Sequence, residues 1–164
     1  TCALPIYEIV GMLWNQGLSD LNYRYSNEYQ DNLENLIDDL RKSLNAKEMK
    51  TVVAVTGNWG WGTELYREHL EEYANNRKIS LKKFMKDRGN EFLKSLEAVR
   101  NAQINISKIA KYKGNVATAE TRGYWRPSKE FGGHGTWQHW MANGESYWLI
   151  GDSMGKTMVD LLRK

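Results

Sequence analysis

The spacing of apolar residues along the chain changes several times, and each change marks an element. Ile9, Val10, Met12 and Leu13 form a short apolar run closed by Asn15-Gln16-Gly17, which predicts a buried strand ending in a turn. Leu33, Leu36, Ile37, Leu40 and Leu44 then recur at helical spacing, with charged residues on the opposite face. Thr51-Val52-Val53-Ala54-Val55-Thr56 is rich in β-branched residues and predicts a second buried strand. It leads into the glycine-rich stretch Gly57-Asn58-Trp59-Gly60-Trp61-Gly62. Residues 64–90 are highly charged, and Leu65, Leu70, Leu81, Phe84 and Met85 give them only enough apolar spacing for a helical excursion over the surface, with His69 solvated within it. Phe92, Leu96, Val99, Gln103, Ile106 and Ala110 mark a long amphipathic helix, with Gly114 where a helix should stop. Asn115 to Thr121 reads as a third, shorter strand.

A last helix begins after Asn143, whose side chain suits an N-cap, and Glu145 in its first turn suits the helix dipole. Tyr147, Ile150, Met154, Met158 and Leu161 trace one apolar face, and Gly151 and Gly155 predict close approach to a neighbour. Strand, helix, strand, helix, strand, helix is the order of an α/β fold, a parallel sheet with helices on both faces. In such sheets ligands bind outside the carboxyl ends of the strands. The three strand-end loops should therefore converge on one edge, bringing Gln16, Asn58 and His139 together. The glycine-rich loop lacks the lysine and spacing of a phosphate loop, and reads instead as a tight turn that lets backbone approach a ligand.

Composition narrows the function classes. A chain of 164 residues that is 41% hydrophobic makes one domain with a real core. A net charge of +3, scattered along the chain, gives no nucleic-acid footprint. No apolar run is long enough to span a bilayer. Seven Trp and nine Tyr are many for this length, which suits either contact with sugars or an aromatic core. Residues 1–6, Thr1-Cys2-Ala3-Leu4-Pro5-Ile6, spell the translation of the end of a sequencing adapter. They are expected to be foreign, as in an untrimmed environmental read. On that reading Cys2 leaves the cysteine count, any signal peptide is out of view, and residues 7–164 are the C-terminal portion of a longer domain.

The loops carry the chemistry. A serine esterase needs a nucleophile, a base and oxyanion donors. His139 is a candidate base, since imidazole exchanges protons near neutral pH. Gln16 offers side-chain N–H donors at a strand end. On residue chemistry alone both also read as packing or turn-fixing residues.

Three blocks resemble a known family. Trp14-Asn15-Gln16-Gly17-Leu18-Ser19-Asp20 is similar to the W-x-Q-G-E-S-D block of the sialate O-acetylesterase-like carbohydrate esterases of the SGNH hydrolase superfamily. Gly114-Asn115-Val116 through Arg122-Gly123-Tyr124-Trp125-Arg126 resembles their G-N-V…T-R-x-[FY]-W-R stretch. Gln138-His139-Trp140, Asn143, Glu145, Tyr147 and Ile150-Gly151-Asp152 resemble their closing block.

The resemblance implies a flavodoxin-like three-layer α/β/α sandwich and a deacetylase acting on acetylated sugars, without metal or cofactor; it also suggests export, while charge and hydropathy predict neither a nucleic-acid nor a membrane partner. It assigns His139 as general base and Gln16 to the oxyanion hole. Trp14, Asn58, Trp59, Arg122, Trp125 and Trp137 become candidate sugar contacts, with Trp61 a further wall. The family's nucleophilic Ser lies in a G-Q-S-N motif absent here, and Ser19, Ser146 and Ser153 stand in other contexts. The missing motif implies a nucleophile upstream and an inactive fragment.

Two positions depart from the pattern. Leu18 replaces the block's Glu, and Thr136 stands where many relatives place an Asp three residues before the His. His139 would then act in a dyad, or be oriented by a backbone carbonyl or by another carboxylate such as Glu120. His134, following two glycines, competes less well for the role of base. The alternative from another class is a non-catalytic carbohydrate-binding or scaffold protein of the same fold; a nucleotide binder is disfavoured by the missing phosphate loop.

Overall fold

The computed structural model describes residues 8–62, 64–126 and 137–163, apart from the side chains of Tyr23, Tyr73, Asp87, Arg88, Trp137 and Gln138. Three strands form the sheet: β1 (Gly11–Trp14), β2 (Lys50–Ala54) and β3 (Val116–Ala119). They are all parallel and lie in the order β1-β2-β3. Gly11 pairs with Lys50 at one end of the sheet, and Ala54 with Ala119 at the other. The helices are α1 (Tyr23–Ser26), α2 (Tyr29–Ser43), α3 (Glu64–Asn76), α4 (Leu81–Phe84), α5 (Asn90–Asn105) and α6 (Gly144–Leu162). A π-helical turn, Met85–Gly89, joins α4 to α5.

The layers follow from the alternation of side chains along each strand. Trp14 of β1 donates from its indole to the Tyr29 hydroxyl of α2 at 3.4 Å, and Thr118 of β3 donates to the Gln103 carbonyl of α5 at 3.1 Å. That face of the sheet is therefore covered by α2 and α5. Gly11 faces the other way, onto α6, where an added Cβ would sit 2.7 Å from Met158 Cε. Ile150, Met154 and Leu161 of α6 are buried there, each worth roughly 1.5–3 kcal/mol. The result is the expected α/β/α arrangement with a parallel central sheet.

Asn143 caps α6 as its sequence predicts, accepting from the Ser146 N–H at 2.9 Å. Several expectations need correction. Gly151 and Gly155 show no such approach: among the described residues no atom comes within 4 Å of a Cβ added at either. The close approach lies instead at Gly11, on the strand. Tyr147 and Leu44 continue their apolar spacings but are exposed, Leu44 as the C-cap that follows α2. The charged segment 64–90 does not merely skirt the surface, since Tyr66, Leu70 and Ala74 of α3 are buried. α5 ends at Asn105 rather than near Ala110, and two short 3-10 turns, Ile106–Lys108 and Ala110–Tyr112, carry the chain to Gly114. Gly114 takes φ +82°, the left-handed turn that admits the chain to β3.

Candidate active site

Because all three strands are parallel, their carboxyl ends share one edge, and the loops after them are tied together by two polar side chains of α5. Gln103 is fully buried. Its Oε1 accepts from the Thr56 N–H at 2.7 Å, in the loop after β2. Its Nε2 donates to the Gln16 carbonyl at 2.8 Å, in the loop after β1, and also lies 3.0 Å from the Tyr29 hydroxyl and 3.1 Å from the Thr56 hydroxyl. Tyr29 donates in turn to the Gln16 carbonyl at 2.7 Å. Gly17 makes this junction possible, since an added Cβ would lie 2.5 Å from the Thr56 hydroxyl and 2.7 Å from Gln103 Nε2. Arg100, one helical turn before, donates from Nε to the Thr56 carbonyl at 2.8 Å and from Nη2 to the Asn58 and Gly60 carbonyls at 2.9 Å each. Burial, and then the nearby Arg122 charge, pull its guanidinium down to about 10 against the pull of Glu120 and Glu97. It therefore stays cationic at neutral pH.

The third loop joins through packing. The Thr121 hydroxyl donates to the Val55 carbonyl, and Thr121's own carbonyl lies against Gly57. A Cβ added at Gly57 would be 2.5 Å from the Trp140 ring and 2.7 Å from the Thr121 carbonyl oxygen. The close backbone approach read from the glycine-rich loop is thus made to the protein's own third loop and to Trp140. Gly57→Ala should accordingly destabilise the fold by about 1–3 kcal/mol, the usual penalty for overpacking, read as a lowered urea midpoint. A midpoint equal to that of the parent protein would show that the loops are not in contact there.

Trp140 fixes the histidine loop. Trp137–Ala142 form an irregular 3-10 segment with His139 at φ −113°, ψ 42°. Trp140, Met141 and Ala142 then all take positive φ, between 50° and 56°, a conformation costing roughly 1–2 kcal/mol per residue for L-amino acids. What holds it is the buried Trp140 ring, packed on Trp125 at 5.9 Å between centroids, and the Asn143 N–H donating to the Trp140 carbonyl at 3.0 Å. His139 itself is exposed. A strained, well-anchored backbone beside an exposed imidazole is the arrangement a positioned base needs.

The structure sorts the sequence-predicted residues. Gln16 lies just past β1, with its carbonyl fixed by Gln103 and Tyr29. Its Nε2 donates to Asp20 Oδ2 at 2.5 Å, which orients the carboxamide. Trp14 is half-buried on Tyr29. Asn58 is buried, with its carbonyl on Arg100. Trp59 and Trp125, expected as sugar walls, belong to the core. Trp59 is 2% exposed and packs edge-on against Tyr66 at 5.0 Å and Phe92 at 5.4 Å, with Trp125 at 6.1 Å. The line of rings continues to Trp140, joining the loop after β2 to the loop after β3 and to the histidine loop.

Trp61 is 62% exposed, with the Arg122 guanidinium 4.4 Å from its ring centroid. Arg122 donates from Nε to Glu120 Oε1 at 2.8 Å and from Nη2 to Oε2 at 2.6 Å. Burial alone would raise the Glu120 carboxyl, but these bonds and the Arg122 charge hold it below the usual glutamate value. Both Glu120 carboxylate oxygens are thus engaged by Arg122. Ser146 is buried and its hydroxyl donates to the Tyr124 carbonyl at 2.6 Å, which removes it as a nucleophile. His134, Thr136 and the Trp137 side chain lie outside the described residues. His69 on α3 is half-buried, and burial lowers its imidazole against the pull of Glu72.

Sequence reasoning passed over Gln103 and Arg100. The available signal was a glutamine standing in the apolar register of α5, between Val99 and Ile106. A buried polar side chain at such a position must have partners, and here they are the loops of the site.

A family model described as carbohydrate esterase, sialic acid-specific acetylesterase, matches residues 2–115, which is most of the chain. The match takes in the Gln16 loop, the glycine-rich loop and α5, together with Cys2 to Ile6, and it ends before β3 and the His139 loop. No curated protein and no solved structure matches the chain.

Proposed function

The chain belongs to the carbohydrate esterases described as sialic acid-specific acetylesterases, and from that premise we propose that the whole protein removes O-acetyl groups from sugars by serine acyl transfer. His139 is the general base and Gln16 an oxyanion donor. A serine from a segment preceding residue 8 is the nucleophile. His139 takes the proton of that serine as its Oγ attacks the acetyl carbonyl. The oxyanion forms against a Gln16 Nε2 N–H, and the protonated His139 returns its proton to the departing sugar oxygen. Water, deprotonated by His139, then attacks the acyl-serine ester and releases acetate.

The observation that carries this reading is the junction of the three strand-end loops. Gln103 binds the Gln16 loop to Thr56, and Gly57 packs on Thr121 and on the Trp140 ring next to His139. The free edge of β1 supports a further strand beside it. Among the described residues β1 pairs only with β2, and Val10 and Leu13 stand about half exposed there. On α6, Trp148, Val159 and Leu162 are exposed at helical spacing with Gly151 and Gly155. An unpaired sheet edge suits a further strand.

The chain as written should not hydrolyse an aryl acetate above the buffer rate, because base and oxyanion donor without a nucleophile contribute little. Clear turnover by the purified chain, lost on replacing one of its own serines, would refute the upstream nucleophile.

A further inference from the structure

Asp20 is the sole carboxylate between Glu8 and Glu28, and it meets the side chain of Gln16. The 3-10 turn Leu18–Asp20 brings it there: Leu18 packs against the core, and the Asp20 N–H donates to the Gly17 carbonyl at 3.2 Å. Among the described residues Asp20 forms no ion pair with a lysine or arginine, so its charge is spent on Gln16. The main chain of Gln16 is fixed separately. Its carbonyl accepts from Gln103 Nε2 at 2.8 Å and from the Tyr29 hydroxyl at 2.7 Å. Burial raises the Tyr29 phenol, and the Asp20 charge adds to this against the hydrogen bonds to Trp14 and Gln103, so Tyr29 stays a neutral donor. Those bonds leave the carboxamide free to turn about its last single bond. What stops it is Asp20, whose Oδ2 accepts from Gln16 Nε2 at 2.5 Å. A carboxylate accepts and never donates. Turned the other way, the amide would set Oε1 against Oδ2, two acceptors with no proton between them. Asp20 thus decides which end of Gln16 is presented: one Nε2 N–H is bound to the carboxylate, and among the described residues nothing takes the second.

We propose that Asp20 is the positioning residue of the oxyanion donor. It acts through Gln16, holding Nε2 and not Oε1 toward the oxyanion of the acetyl group. The inference rests on the esterase reading, in which Gln16 faces that oxyanion. An amide without this guide is worse than a missing donor, because Oε1 in the same place repels the charge it should stabilise. The bond to an ionised acceptor is also of the strong class, so the donor is fixed before substrate arrives rather than recruited by it.

The test is a series at position 20 in the protein completed from its genomic locus, assayed on an aryl acetate after melting curves establish folding. Asp20→Lys supplies donors alone and so binds Oε1, turning the amide over. It should lower kcat on the order of 10²–10³-fold, the loss of one oxyanion donor, with KM little changed. Asp20→Asn pairs with either end of the amide and should cost less. Asp20→Glu restores a carboxylate and should recover turnover in part. In a Gln16→Ala background the same substitutions should change nothing further, whereas a role in folding alone would lower both series alike. A second readout needs no turnover. In the 164-residue chain one Gln16 Nε2 proton should lie downfield in the NMR spectrum because of its bond to the carboxylate, and Asp20→Asn should move it back. Ordinary or raised kcat in folded Asp20→Lys would overturn the proposal, a rise meaning that Asp20 sequesters Gln16. So would equal losses in the two backgrounds, or a Gln16 side-chain proton unmoved by Asp20→Asn. A completed protein that never deacetylates, but whose Gln16 proton answers to Asp20→Asn, would sink the esterase reading and leave the orientation of Gln16 by Asp20 standing. An active protein indifferent to Asp20 would do the opposite.

Discussion

Replacing His139 by alanine in the protein completed from its genomic locus should lower deacetylation by about 10²–10⁴-fold, the usual contribution of a general base. His134→Ala and His69→Ala should leave turnover near normal. The reason is support. His139 is followed directly by three left-handed residues, the first of them the buried Trp140, and then by the Asn143 cap of α6, so its backbone is held on both the packing and the hydrogen-bond side. His134 follows Gly132 and Gly133, a poor support for a base that must be placed to a fraction of an ångström. His69 sits on α3, where it is half-buried. Gln16→Ala should slow turnover as well, since an oxyanion donor is worth roughly 2.7–4 kcal/mol. That variant should fold, because Gln103 and Tyr29 bind the Gln16 carbonyl and not its side chain. Melting curves establish folding before any rate is compared. A folded His139→Ala protein with ordinary turnover, beside a His134→Ala protein without it, would move the role of base to His134.

The second large effect concerns the scaffold of the site. Arg100→Met keeps the length of the side chain and removes its charge and donors. The Thr56, Asn58 and Gly60 carbonyls then lose their guanidinium partner in a buried setting. Each buried group left unsatisfied costs about 1–3 kcal/mol, and part of the loss is recovered as the loop relaxes, so a fall of roughly 3–5 kcal/mol in unfolding free energy is expected. For a chain of this size that lowers Tm by about 10 °C. The loop has a reason to move. Trp59 and Gly60 take φ of 65° and 73°, and for Trp59 that conformation is unfavourable by roughly 1–2 kcal/mol. Arg24→Met, at an exposed position on α1, should change Tm little. A shift as small at Arg100 would mean that the loop is held by its aromatic packing alone.

These two residues also mark what the chain discloses before folding and what it withholds. The strands were legible because Thr51 to Thr56 and Asn115 to Thr121 are dense in β-branched or small apolar residues and end in turn formers. α2 and α6 were legible because a period of three and four residues survives any tertiary context. Asn143 was legible because capping is local. The fates of the tryptophans were not: Trp59 and Trp61 stand two apart in one loop, and only the positive φ at Trp59 and Gly60 sends one ring into the core and leaves the other in solvent. Gly151 and Gly155 misled for a related reason, since spacing names a face of α6 without naming what faces it. Gly11, with no pattern around it, proved to be the contact. Gln103 was visible as a polar residue in an apolar register, yet its partners, from Gln16 to Thr56, come together only when the strands pair.

The most direct measurement is active-site labelling of the completed protein with a fluorophosphonate, followed by peptide mass mapping. A single labelled serine in a segment preceding residue 8, with labelling abolished or strongly slowed by His139→Ala, is the predicted result. A label on Ser19, Ser153 or any other serine within residues 8–163 would contradict the assignment of this chain as the base-bearing and oxyanion-bearing part of the esterase.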